Sequence, residues 1–119
     1  MTNESWIEAA CEEMPVWAVL IRNLDKQLEY LMPGYKIAQI KEKFGGLRYY
    51  FDPPYDPETY EKTVPDIVLD IATTLEYRAE NESFRICMYC PDKNGKHHTE
   101  VSWYCTLCNE CFEKYYPNK

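Results

Sequence analysis

The chain has 119 residues, of which 45% are hydrophobic and 15% aromatic, and its formal net charge is -7. This composition suffices for one compact domain with a modest core, which a bound metal would help to stabilise. The negative charge argues against non-specific attraction to a phosphate backbone, and the longest apolar run, residues 16–21, is too short to cross a bilayer.

The beginning of the chain contains neither the basic start nor the apolar stretch of a signal peptide. We therefore expect a cytoplasmic location and no membrane partner. The charge is unevenly distributed, because residues 1–84 carry 8 basic and 16 acidic side chains whereas residues 85–119 carry 5 basic and 4 acidic ones.

Apolar residues at helical spacing predict three helices in the first part of the chain. The first ends near Met14, because the proline that follows lacks a backbone donor. The second covers residues 16–31 and ends before a Pro-Gly pair, and the third covers about residues 67–81. Cys11 lies on the apolar stripe of the first helix and is expected to be a small core residue.

Residues 35–52 predict a β-hairpin, because Gly45-Gly46 can adopt the positive φ angles of a two-residue turn. In this register Phe44 pairs with Leu47, and Lys43 pairs with Arg48. The predicted core face carries Ile40, Glu42, Phe44, Leu47, Tyr49 and Phe51. The predicted solvent face carries Gln39, Lys41, Lys43, Arg48, Tyr50 and Asp52.

Two C-x-x-C motifs, Cys87/Cys90 and Cys108/Cys111, are separated by seventeen residues, which is the spacing of a four-cysteine zinc site. Two residues between ligands allow a tight turn to direct both sulfurs at one ion. In a reducing compartment such pairs hold metal more often than they form disulfides. The sequence therefore predicts a structural Zn²⁺ bound by Cys87, Cys90, Cys108 and Cys111.

Other uses of the cysteines stay open at this point. Cys105 and Cys108 also form a C-x-x-C pair, which fourteen residues separate from Cys90. We favour the Cys108/Cys111 pair, because the short helix predicted after it would direct its free N–H groups at the thiolates. His97 and His98 are expected to be solvated in a polar loop, although either can replace a cysteine ligand. Buried free thiols or a redox pair are the remaining alternatives.

These elements predict an α+β fold with N-terminal helices, a β-hairpin and a long helix, followed by a treble-clef-like or zinc-ribbon-like module. Residues 1–84 would form the helical and β-hairpin part. Residues 85–119 would form the zinc-binding module docked on it, so that the chain is one compact unit.

An enzymatic role is not expected. His98-Thr-Glu100 followed by Cys105-x-x-Cys108 superficially matches parts of the zinc deaminase motif, but only four residues separate Glu100 from Cys105. A four-thiolate site also has no open coordination position for water, so its default role is structural.

The run from Gln39 to Tyr50, with Lys-Phe-Gly-Gly-Leu-Arg-Tyr-Tyr at its end, precedes a C-x-x-C knuckle and then Trp103-x-x-Thr-Leu-Cys-x-x-Cys. Over residues 36–112 this pattern resembles a group of largely uncharacterised small phage and prophage proteins. Cys108 and Cys111 match the last cysteine pair of that pattern, whereas Cys105 and the loop after Cys90 depart from it. The resemblance implies a phage-like origin, and hence the host cytoplasm, but no reaction.

Two main functional hypotheses follow, and a third, a purely structural virion component, would require self-association. The first is a phage-type accessory protein that binds a host or phage protein through its acidic helical surface and inhibits a host factor. The second is a nucleic-acid-binding module that uses the hairpin face and the zinc knuckle. Its candidate contacts are Lys41, Lys43, Arg48 and Tyr50, extended by Arg85, Lys93 and Lys96. The sequence does not determine the oligomeric state.

Overall fold

The computed structural model describes residues 2–90 and 94–116. It has an α+β fold, as predicted, with four α-helices and two antiparallel two-stranded sheets in the described residues. The elements in chain order are α1 (Asn3–Glu13), a 3₁₀ turn (Pro15–Trp17), α2 (Ala18–Leu31), β1 (Lys36–Lys43), β2 (Gly46–Asp52), α3 (Asp66–Ser83), β3 (Lys96–His98), β4 (Cys105–Leu107) and α4 (Asn109–Tyr115).

The N-terminal helices follow the predicted hydrophobic pattern closely. The Thr2 side chain accepts a hydrogen bond from the Ser5 N–H and caps α1, which ends one residue before Met14. The segment predicted as the second helix forms two elements, a 3₁₀ turn that begins at Pro15 and then α2. The α2 stripe of buried residues comprises Ile21, Leu24 and Leu28.

The predicted turn of the first hairpin is wrong by one residue. The two turn residues are Phe44 (φ 56°) and Gly45 (φ 86°), so Lys43 pairs with Gly46. Lys41 rather than Lys43 therefore lies opposite Arg48. A Cβ at position 46 would overlap the ring of Phe84, so Gly46 is required for close packing and not for the turn.

The core face of the hairpin is mostly as predicted, with two differences. Phe44 is in the turn and is 55% exposed, so it does not belong to the core. An irregularity between Ile37 and Gln39 shifts the pairing, so that both Ile37 and Ile40 are buried. Helix α1 packs on β1, and α3 packs on β2 and α2.

A buried hydrogen-bond network connects the hairpin to α2. The Tyr35 hydroxyl donates to Asp25 Oδ1 at 2.6 Å and lies 2.5 Å from the Tyr49 hydroxyl. Burial and the hydrogen bonds to Asp25 and Tyr49 raise the pKa of Tyr35 well above its ordinary value. Burial also raises the pKa of Tyr49, although its hydrogen bond with Tyr35 acts in the opposite direction. Both phenols therefore stay neutral and act as hydrogen-bonding groups of the core.

The C-terminal part forms a second buried cluster around β3, β4 and α4. The order of elements is a cysteine knuckle, a β-hairpin and a helix, which is the treble-clef-like alternative of the two predicted arrangements. The molecule is elongated, with principal dimensions of 58, 25 and 23 Å. The predicted division into residues 1–84 and 85–119 stays a prediction.

The tip of the first hairpin joins the two buried clusters. The Thr106 hydroxyl donates to the Gly45 carbonyl at 2.8 Å, and Nε2 of His97 lies 2.7 Å from the Phe44 carbonyl. The Phe84 ring packs against Gly46. These contacts fix the position of the cysteine-rich module relative to the helical body.

Among the helices of residues 2–90 and 94–116, none has the length and apolar character needed to cross a membrane.

Candidate metal centre

Four cysteines from two distant parts of the chain converge at the C-terminal module. The Sγ atoms of Cys87, Cys90, Cys108 and Cys111 all lie within 4.8 Å of one another. The Sγ atoms of Cys90 and Cys111 are 3.3 Å apart. Cys87, Cys108 and Cys111 are buried, and Cys90 is half-buried. This is the set of four residues that the C-x-x-C spacing predicts.

The first cysteine pair lies on a tight knuckle held by backbone hydrogen bonds. The Tyr89 N–H donates to Cys87 Sγ at 3.5 Å, and the Met88 N–H donates to the Thr106 carbonyl at 2.9 Å. The Gly95 N–H donates to the Arg85 carbonyl at 2.7 Å. A side chain at Gly95 would collide with the backbone of Cys87, so glycine allows the second hairpin to approach the knuckle.

The second cysteine pair lies at the start of α4. Cys108 is the N-cap residue in extended conformation, and Cys111 lies one turn later within the helix. The helix begins at Asn109, earlier than the sequence predicts, so it carries Cys111 itself. This geometry places the sulfurs of Cys108 and Cys111 beside those of Cys87 and Cys90.

The surroundings of the cluster shift the pKa values of Cys87, Cys90 and Cys111. Burial raises the pKa of Cys87, but hydrogen bonds from the backbone N–H groups of Cys108, Tyr89 and Cys90 outweigh this effect and lower it to about 7. The hydrogen bond with Cys90 and then burial raise the pKa of Cys111. For Cys90, the hydrogen bond with Cys111 lowers the pKa, but burial and the charges of Cys87 and Cys108 raise it overall. A cation bound between the sulfurs would stabilise the thiolate forms of Cys90 and Cys111.

The residues present fit a tetrahedral metal ion. A tetrahedron of sulfurs about 2.3 Å from zinc has S–S distances of about 3.8 Å. The Sγ atoms of Cys90 and Cys111 are 3.3 Å apart, and every pair among the four Sγ atoms is within 4.8 Å, so the observed distances span this value. Thiolates are soft ligands that suit zinc or iron–sulfur chemistry better than magnesium or calcium. The four cysteines can thus hold a metal ion with every position of a tetrahedron filled by protein.

The other two cysteines lie outside this group. Cys105 is buried on β4, where it pairs with His98 across the hairpin. Burial raises the pKa of the Cys105 thiol, so it stays protonated and apolar in character. Cys11 is half-buried against the main core, where its thiol lies 4.0 Å from the Ala18 carbonyl. The competing Cys105/Cys108 pair is not the one that the fold brings together with Cys87 and Cys90.

The prediction that His97 and His98 lie solvated in a loop is wrong. Both belong to strand β3, and neither is among the four clustered residues. His98 is only 5% exposed, stacks on Phe112 at 3.7 Å between ring centroids, and bonds Glu100 Oε1 through Nδ1 at 2.7 Å. The polar composition of this segment concealed the apolar faces of its imidazole rings, which pack against aromatic neighbours.

The predicted basic face of the first hairpin is smaller than expected. Arg48 lies 2.8 Å from Glu80 of α3, so its charge is already paired. Lys41 lies over the Tyr50 ring at 5.7 Å, and Lys43 is exposed beside the turn. Of the four residues predicted to contact nucleic acid, Lys41, Lys43 and the exposed Tyr50 therefore have no carboxylate partner comparable to that of Arg48.

Two of the three basic residues expected to extend this face lie within the described residues. Arg85 lies 3.8 Å from Glu82, and Lys96 is exposed on β3. Lys93 lies outside the described residues.

Sequence analysis overlooked the residues that hold the module against the hairpin. Thr106 is fully buried, and its hydroxyl reaches a carbonyl 61 positions earlier in the chain. No local pattern reveals such a contact. Trp103 belongs to the motif that carries the phage resemblance, and Tyr104 occupies an unspecified position of that motif. Neither has a predicted role, and both lie at the surface beside Phe44.

No protein-family model matches the chain, and no curated protein or solved structure is significantly similar to it, so its function must be argued from this site.

Proposed function

We propose that the four cysteines bind one structural Zn²⁺, and that the chain is a small phage-type accessory protein that acts by binding another protein. The observation that carries the proposal is the convergence of four Sγ atoms within 4.8 Å from two separate C-x-x-C pairs. Four protein ligands leave no coordination position for a substrate or a water molecule, which supports a structural rather than a catalytic role.

The core of the module is small, which supports the proposal that the module needs metal in order to fold. Among the described residues, its buried apolar cluster consists of four thiols of the chain's six together with Val101 and Leu107, with further half-buried neighbours. Three of the four buried thiols are proposed ligands. So few apolar side chains provide little hydrophobic stabilisation, and metal binding then supplies much of the folding free energy.

A protein partner is favoured over nucleic acid by charge. The net charge is -7, and Arg48 on the hairpin face is neutralised by Glu80. Nucleic-acid affinity depends on several Lys and Arg contacts with phosphates, and few free cations remain on this face. The resemblance to phage and prophage proteins supports a host or phage protein as the partner, inhibition of a host factor, and action in the host cytoplasm.

Metal dependence is tested by refolding the metal-free protein and following the secondary structure by circular dichroism. Addition of Zn²⁺ should restore the β3–β4–α4 signal and a cooperative unfolding transition, whereas Mg²⁺ should not. Equal refolding in a strong chelator would contradict the zinc proposal.

The interaction proposal is tested by affinity purification from bacterial lysate, with zinc-loaded protein as bait and Cys111→Ser as control. The expected result is a protein retained by the wild type after nuclease treatment and at high salt. Retention that disappears with nuclease, together with steep salt dependence, would instead support nucleic-acid binding.

A further inference from the structure

Cys90 and Cys111 form a close pair of sulfurs within the four-cysteine cluster. Their Sγ atoms are 3.3 Å apart, whereas the ligands of a tetrahedral zinc site are about 3.8 Å apart. The two sulfurs of a disulfide lie about 2.05 Å apart. An approach of about 1.2 Å by the two sulfurs would therefore allow a covalent bond between them.

The four cysteines differ in their access to solvent. Cys90 is half-buried, whereas the other three cysteines of the cluster are at most 8% exposed. The oxidation of a cysteine by a small oxidant depends on its exposure as well as on its thiolate character. Cys90 is thus the member of the cluster that an oxidant in solution reaches first, and Cys111 is the neighbour that can react with it next.

The fold gives a bond between these two residues a specific structural effect. Cys90 lies at the end of the knuckle and Cys111 lies in the first turn of α4, 21 positions later. A disulfide across this interval would join the knuckle to the helix, as the four-ligand metal site does. A disulfide within one C-x-x-C pair joins only neighbouring turns of one segment and would leave the two halves of the module unconnected.

The remaining two cysteines lie outside this chemistry. Cys105 is 7% exposed on β4, and Cys11 packs against the core of the helical body. Neither belongs to the group of sulfurs that lie within 4.8 Å of one another. Variants at these two positions therefore serve as controls for the cluster.

We infer that the cysteine cluster is a redox-sensitive crosslink, which holds Zn²⁺ when reduced and which a peroxide converts to a Cys90–Cys111 disulfide. The ion is released in this conversion, because Cys87 and Cys108 alone are too few ligands for a tetrahedral site. The inference rests on the proposed function, since it concerns the reactivity of the proposed zinc site.

The reaction is balanced with hydrogen peroxide as the oxidant. Bound Zn²⁺ keeps its cysteine ligands as thiolates. Cys90 Sγ attacks one peroxide oxygen, the O–O bond breaks, and a sulfenic acid forms as hydroxide leaves. Cys111 Sγ then attacks Cys90 Sγ, the S–O bond breaks, and a second hydroxide leaves. The two sulfurs have lost two electrons, and the peroxide has gained them.

The inference is tested on zinc-loaded wild-type protein whose metal content is first measured by native mass spectrometry. One equivalent of hydrogen peroxide is added, and the released zinc is followed with a chromogenic chelator. Free thiols are then alkylated, and the disulfides are mapped by tryptic digestion and tandem mass spectrometry. We expect zinc release together with a Cys90–Cys111 disulfide, and recovery of the zinc-bound form with dithiothreitol and Zn²⁺.

Two histidine variants make the test specific, because an imidazole can replace one thiolate as a zinc ligand. Cys111→His lacks the second thiol, so Cys90 should accumulate as sulfinic acid, which dithiothreitol does not reduce. Cys108→His keeps both members of the pair and should still form the Cys90–Cys111 disulfide. Cys105→Ser and Cys11→Ala should release zinc at the wild-type rate.

The outcomes separate this inference from the zinc proposal. Wild-type protein that keeps its zinc in peroxide, or forms its disulfide within one C-x-x-C pair, would overturn the redox inference and leave the zinc site intact. The same disulfide yield in Cys111→His as in Cys108→His would also overturn it. A wild-type protein that contains no zinc before oxidation would contradict the proposed function, and the redox inference with it.

Discussion

Replacement of Thr106 by Val tests whether the cysteine-rich module is fixed to the hairpin through one buried hydrogen bond. Thr106 is fully buried, and its hydroxyl donates to the Gly45 carbonyl at 2.8 Å. Valine keeps the shape of the side chain but leaves that carbonyl without this donor. Loss of such a partner costs about 1–3 kcal/mol, and we expect about 2 kcal/mol. For a chain of this size, this lowers Tm by roughly 6–8 °C.

The measurement is urea and thermal unfolding followed by circular dichroism at saturating Zn²⁺. Thr74→Val is the matched control, because the Thr74 hydroxyl also donates to a carbonyl, that of Asp70 at 3.0 Å, but on the exposed face of α3. The control should change the free energy of unfolding by less than about 0.5 kcal/mol. Equal stability of the two variants would refute the reasoning that this contact holds the module in place.

Two further variants test the helical body. Ser83→Ala removes the hydroxyl that accepts from the Leu47 N–H at 2.8 Å, so in urea unfolding it should cost about 1–3 kcal/mol, whereas exposed Ser102→Ala should cost almost nothing. Burial raises the pKa of the Glu76 carboxyl above its ordinary 4.5, so ionisation of this group destabilises the folded state as pH rises through the raised pKa. Glu76→Gln should therefore have a higher free energy of unfolding than the wild type at pH 7, and this difference should vanish below about pH 4. Urea unfolding at both pH values measures it. An increase no larger than that of exposed Glu58→Gln would contradict this reasoning.

Much of the fold is predictable where the determining signal is local. The 3.6-residue spacing of apolar side chains identifies α2, and the end of α1 follows from the proline at position 15. Two C-x-x-C pairs identify the four residues that the structure brings together. In each case the physical cause lies within one short segment of sequence.

The hairpin register shows where local information is insufficient. Two adjacent glycines allow the turn to be either Phe44-Gly45 or Gly45-Gly46, and glycine conformational freedom alone favours the second. The structure has the Phe44-Gly45 turn, and Gly46 lies in β2, where the ring of Phe84 occupies the space that a side chain would fill. That residue is far away in the sequence and gives no signal within the hairpin.

The histidines of β3 illustrate the same limitation for polar segments. A stretch of Lys, His, Thr and Glu predicts a solvated loop by composition. In the structure the His98 ring is buried by stacking on Phe112 of α4, and its Nδ1 atom is satisfied by Glu100. The burial of such a ring depends on an aromatic partner in another element, which composition does not reveal.

Metal stoichiometry tests the central claim most directly, and native mass spectrometry of the purified protein measures it. We predict one zinc ion per chain for the wild type and for Cys105→Ser, whose thiol lies outside the cluster, and loss of the metal in Cys108→Ser and Cys111→Ser. A folded wild-type protein without metal, or zinc that is lost with Cys105→Ser and kept with Cys111→Ser, would contradict the account.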